Sequence, residues 1–119
     1  MQNKENHKTV LTRANAAIMN GDYEGFLTFC TDNTEWTFVG DKTIRGKEGV
    51  RQWMADTYLE PPKFVVENLI AEGDFVTAIG KIKMKGDEGN LENYAYCDVW
   101  RFVDGKMAGL TAFVIKIHA

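Results

Sequence analysis

Asp98 lies between Tyr96 and Trp100, and strand alternation puts its carboxyl on one face with Tyr94, Tyr96, Trp100 and Phe102. A carboxyl among rings loses water. That loss disfavours its charged form and raises its pKa unless a cation or several donors compensate. No basic residue shares that stretch of the face, so compensation is expected from tyrosine or backbone donors. Such a group donates a hydrogen bond while protonated and takes a proton while ionised, the two halves of acid–base chemistry. The structural alternative is a buried aspartate bonded to a tyrosine for the sake of the fold alone.

The rings around it are numerous. By strand parity and helix stripe, Trp36, Phe38, Trp53, Tyr58, Tyr94, Tyr96, Trp100 and Leu110 are the candidate lining of a cavity. Large aromatics around a few polar groups suit a small, planar, apolar ligand. Any one ring serves equally well as core filling. Val76, Ala78 and Gly80 share a strand face and are small. They are expected to leave space opposite the rings, which favours the cavity.

Other chemistry is poorly supplied. Cys30 and Cys97 are too few and too far apart for a zinc motif or a disulfide framework, and read as free buried thiols. His7 and His118 sit at opposite ends of the chain, so no metal site and no cofactor are expected. Gly46-Lys-Glu-Gly49 lacks the spacing and the Lys-Ser/Thr of a phosphate loop. Lys81, Lys83 and Lys85 line one strand face and read as a solvated surface that resists aggregation. Glu35 and Glu92 read as surface residues.

The elements that position Asp98 follow from period and punctuation. Val10, Leu11, Ala14, Ala17 and Ile18 form a helical stripe that Asn20-Gly21 ends. Asp22 can cap a short second helix carrying Phe26, Leu27, Phe29 and Cys30. A strand is predicted at 35–39. A third helix carries Val50, Trp53, Met54 and Tyr58, and Pro61-Pro62 stops it. Long strands are predicted at 64–72, 75–85, 91–103 and 106–118, separated by Gly73-Asp74, the turn at 86–90 and the hairpin signal Asp104-Gly105. Helices followed by an antiparallel meander define an α+β fold.

Size and charge agree. With 119 residues, of which 45% are hydrophobic and 26% charged, the chain is expected to form a single domain, residues 1–119, with its own core. Lys plus Arg is 14 and Asp plus Glu is 17, a net charge of −3. That argues against nucleic acid or an anionic membrane as partner. No run reaches membrane-spanning length and the first residues hold no signal-peptide core, so a cytoplasmic location is expected. Both faces of the last strands are largely apolar, and three helices cannot cover both. The second face, with Cys97, Val99, Phe113, Ile115 and Ile79, is therefore expected to meet a second subunit in a homodimer.

The ordered set of a helix ending in Asn-Gly-Asp22, Thr34-Glu-Trp36, Ile44-Arg-Gly46, Cys97-Asp-Val-Trp-Arg-Phe102 and Asp104-Gly-Lys106 resembles a known family. It is similar to the SnoaL-like and ketosteroid-isomerase-like branch of the nuclear transport factor 2 superfamily, over nearly the whole chain. The resemblance implies a cone-shaped, curved antiparallel sheet wrapped around three helices, with a ligand pocket at the open end and dimers formed through the sheet. It implies that Asp98 corresponds to the pocket aspartate that donates to an oxyanion in ketosteroid isomerases. The partner tyrosine position falls on Ala14 and the general-base position near Phe38, so steroid isomerisation is not implied. The Asp-Arg-Asp cluster of limonene-epoxide hydrolases is not matched either, since Arg101 faces away from Asp98. The expectation is a small-molecule pocket protein, an isomerase or cyclase acting beside a carbonyl. The competing expectation is a non-catalytic binding or dimerisation module.

Overall fold

A computed structural model describes residues 6–58, 60–85 and 89–117. Asn6 opens the first helix, α1 (His7–Met19), its side chain accepting from the Lys8 N–H at 2.8 Å. Val10, Leu11, Ala14 and Ile18 form the buried stripe, and Gly21 ends the helix at φ 77°. Asp22 caps α2 (Tyr23–Leu27) as expected, its Oδ1 accepting from the Gly25 N–H at 2.9 Å.

The first strand, β1 (Cys30–Phe38), begins five residues before the predicted start. Its early residues Thr31, Asp32 and Asn33 are polar and give no strand signal, and a register shift separates Cys30 from Glu35. A turn in which the Asp41 N–H donates to the Phe38 carbonyl (2.9 Å) leads into β2 (Lys42–Arg45), which the sequence reading missed. Four residues at the sheet edge, three of them exposed, carry little periodicity. The helix α3 (Gly46–Thr57) follows, with Gly46-Lys-Glu-Gly49 as its first turn. Tyr58 caps it instead of lying in its stripe, because the chain leaves the helix before Pro61-Pro62.

The meander is read almost to the residue: β3 (Lys63–Glu72), β4 (Phe75–Lys85), β5 (Leu91–Val103) and β6 (Lys106–Lys116). Most of the turn at 86–90, and His118, lie outside the described residues. The six strands form one sheet in the order β2-β1-β6-β5-β4-β3. One pairing departs from the antiparallel expectation: β1 runs parallel to β6, with Trp36 beside Leu110 and Phe38 beside Ala112. Three successive hairpins fix the direction of β6, and β1 joins its free edge so that both apolar faces cover the same core.

That core lies between the helices and one sheet face. Trp36, Val76, Ala78, Tyr96, Trp100, Leu110 and Ala112 meet Leu11, Ala14, Phe26, Val50 and Met54 there. On the other face Ile79, Cys97 and Val99 are half-buried, while Phe113 and Ile115 are 43% and 67% exposed. No described helix is long and apolar enough to cross a membrane.

Candidate functional site

Between the sheet, α1 and α3 lies a cavity of about 340 Å³. Trp36, Phe38, Trp53, Tyr58, Tyr94, Tyr96, Trp100, Leu110 and Asp98 all border it. Alternation brings them together on the strands. Asp98 sits opposite Ala78 on β4 and Ala112 on β6, one row from the Trp100–Leu110 pair. Trp53 projects from α3 onto β1, its ring 5.0 Å from Phe38 and 5.7 Å from Trp36. Tyr58 continues the wall, 5.2 Å from Trp53.

The small residues opposite the rings behave differently from one another. Ala78 borders the cavity, whereas Val76 is packed into the core. The space at Gly80 is already taken: a Cβ there would lie 2.0 Å from the Val65 carbonyl oxygen and 2.9 Å from the Tyr96 hydroxyl. Gly80 is required by the close approach of β3 beside its bulge between Val66 and Asn68. Trp36 is 3% exposed and meets Phe26, Phe38, Trp53 and Trp100 edge to face, so it is a core ring as much as a wall.

Burial pushes the Asp98 carboxyl up to about 7. The donors expected to compensate it are not in place on Oδ1, which is buried and meets no hydrogen-bond partner among the described residues. Tyrosines nevertheless stand close. Burial, and after it the negative charge of Asp98, raises the Tyr96 phenol to about 12 and pushes Tyr58 up as well. Both hydroxyls therefore keep their protons at neutral pH. The Tyr23 hydroxyl donates to the Tyr58 carbonyl at 3.4 Å and steadies that end of α3. A carboxyl balanced near neutrality, with two protonated phenols bordering the same cavity, can give a proton to a bound oxygen or take one from carbon. Among the described residues no group of three or more His, Cys, Asp or Glu is arranged for a metal.

Several border residues were missed. Ile82 and Met84 extend the face of Ala78 by alternation, and Ala112 and Val114 extend that of Leu110, so parity alone could have found them. Asn15 and Ile18 come from α1, where Ile18 was read as core. Asp41 belongs to the β1–β2 turn and Thr57 to the last residue of α3, positions without a periodic signal.

Comparison with known proteins fits this geometry. Solved structures share the architecture at low identity, which speaks for the fold alone. An NTF2-like protein of unknown function from Cytophaga hutchinsonii superposes with TM-score 0.74 at 21% identity, covering 92% of this chain and 100% of that one. A protein assigned as a ketosteroid isomerase from Kribbella flavida gives 0.81 at 15% identity, covering 98% and 82%. One assigned as a SnoaL-like polyketide cyclase from a Jannaschia species gives 0.79 at 16%, covering 96% and 91%. No curated protein matches the chain in sequence. The SnoaL-like domain model matches residues 11–110, from the stripe of α1 to the strand that floors the cavity. Because that match covers most of the chain, with α2, α3 and β1 to β5 inside it, the chain belongs to the SnoaL-like domain family.

Proposed function

We propose that this protein acts on a small, planar, largely apolar carbonyl compound as an isomerase or cyclase, with Asp98 as its proton-transferring group. One observation carries the reading: a buried carboxyl with an unpartnered oxygen, raised to about 7, borders a cavity walled by rings. Ionised, Asp98 takes a proton from the carbon beside the carbonyl, and the electron pair moves to the carbonyl oxygen. The hydroxyls of Tyr58 and Tyr96 are the donors for that oxygen. Asp98 then returns the proton to carbon, so that no proton or electron is lost. Trp36, Phe38, Trp53, Tyr94, Trp100 and Leu110 hold the flat frame of the ligand. The likeness to proteins assigned as an isomerase and a cyclase supports this reading at the level of the fold.

A homodimer through the outer sheet face belongs to the same reading. Ile79, Cys97 and Phe113 form one row there with Val99 and Ile115 close by, and the exposed Phe113 and Ile115 are apolar surface that a second subunit would cover. A cytoplasmic location fits the two free thiols, Cys30 and Cys97.

The test is exchange of the protons beside the carbonyl of tetralone in heavy water, followed by NMR. Catalysed exchange that Asp98→Asn abolishes is the expected result. Quenching of tryptophan fluorescence by tetralone without exchange would favour the second reading, a non-catalytic binding module. That reading draws on the lack of a second carboxylate at Phe38 and of a tyrosine at Ala14.

A further inference from the structure

The charges around the cavity are one-sided. No lysine, arginine or histidine is among the described residues that border it, while two carboxyls are, Asp98 on β5 and Asp41 in the β1–β2 turn. The helix α3 ends at the same wall with Thr57 and Tyr58, so the negative end of its dipole lies there. Its last turn holds no basic residue to offset that end. Phe38, whose carbonyl accepts from the Asp41 N–H, and Trp53, its ring 5.0 Å from Phe38, add aromatic surface that attracts a cation. Lys42, opposite Phe38 in the register, is exposed and does not border the cavity.

The register also supplies a length. Phe38, Ala112 and Asp98 form one row across β1, β6 and β5. Two strand spacings set the backbones of the outer members about 10 Å apart. Ala112, the small residue between them, leaves the floor open. One end of the row is the unpartnered Asp98 carboxyl; the other is Phe38, with Trp53 against it and Asp41 in the turn that follows.

We infer that the ligand is a flat carbonyl compound carrying a basic nitrogen about 10 Å from its carbonyl group. This rests on the reading of Asp98 given above. The carbonyl group lies at Asp98 with its oxygen toward the Tyr58 and Tyr96 hydroxyls, and the ammonium lies against Phe38 and Trp53 beside Asp41. There it keeps the Asp41 carboxylate and the aromatic rings as partners as it leaves water. An acid group in that position loses its hydration and gains no counter-charge. Asp41 is thus the residue that sets the charge preference.

Three probes of one shape test the inference by calorimetric titration of the intact protein: acetylnaphthalene, and its derivatives bearing an aminomethyl or a carboxylate group on the far ring. The aminomethyl derivative should bind tightest, about a hundredfold above the carboxylate. In Asp41→Asn, and separately in high salt, that ratio should shrink by about fivefold, because a charge interaction near water is screened. A carboxylate that binds within tenfold of the amine overturns the inference. So does a parent ketone that binds more tightly than the amine, and either result leaves the carbonyl reading standing. A ratio unmoved by Asp41→Asn overturns the placing of the ammonium. Failure of all three probes to bind sinks the carbonyl reading and the inference together.

Discussion

Replacing Asp98 by asparagine should make the protein more stable than the wild type above neutral pH and remove the proton exchange. Burial raises the carboxyl from an ordinary 3.8 to about 7. At about 1.4 kcal/mol per pH unit, holding the ionised form in the native state costs about 4 kcal/mol. Below about pH 4 the native and unfolded chains both carry the proton, and this cost is absent. From there to about pH 7 the native chain keeps a proton that the unfolded chain has released, so stability falls as pH rises. Above about pH 7 the full cost is present.

Asparagine has nearly the same shape and does not titrate. Any cost of its unpartnered oxygen is therefore the same at every pH. The stability difference between wild type and Asp98→Asn should accordingly swing toward the variant by about 4 kcal/mol between acid and weakly alkaline pH. That is an upper value, since water in the cavity relaxes part of the cost. Urea titrations of both proteins across that range measure the swing and cancel the groups they share. Carbon-detected NMR of the Asp98 carboxyl gives the titration itself. A flat difference with pH, or a carboxyl that titrates near 4, would refute both the burial argument and the proton-transfer role built on it.

Three further outcomes follow from the packing. Phe113→Glu places a charge in the middle of the outer apolar face and should halve the mass seen by light scattering at micromolar concentration; a wild-type protein that is already monomeric there defeats the dimer. Gly80→Ala should cost about 2 kcal/mol or more, because a Cβ would lie 2.0 Å from the Val65 carbonyl oxygen, a backbone atom that cannot step aside. An unchanged denaturation midpoint would show that β3 is free to shift. Asp22→Ala removes the cap on α2 and should cost about 1 kcal/mol, whereas Asp22→Asn should recover most of it.

What was legible follows the periods of the chain. Residues 75–85 and 91–103 were bounded to the residue, since two-residue alternation over more than ten positions leaves little freedom and the flanking Gly-Asp and Asp-Gly pairs mark the turns. β2 was missed because four residues at an edge make too short a pattern. The parallel pairing of β1 with β6 was not legible either, because direction is decided by where β1 lands, a tertiary matter. The nine candidate site residues border one cavity because seven of them sit on strands, where parity assigns a face. The helical period assigns Tyr58 to the stripe of α3, whereas it caps that helix and borders the cavity from there.

The expectation that failed at the site concerns what surrounds Asp98. Parity can say that Tyr96 and Asp98 share a face, but not that the Tyr96 hydroxyl is drawn off over Gly80, where β3 comes close. Had that hydroxyl bonded Oδ1, the carboxylate would have been stabilised and its pKa held lower. The bulge in β3, the glycine beneath the phenol and the unpartnered carboxyl are therefore one connected feature. A buried carboxyl without a partner weakens the folded state at neutral pH, and a structural role would have been served better by an asparagine or an apolar side chain. Its presence at the wall of a cavity, where a ligand rather than the protein can complete its hydrogen bonds, is the argument for chemistry at Asp98.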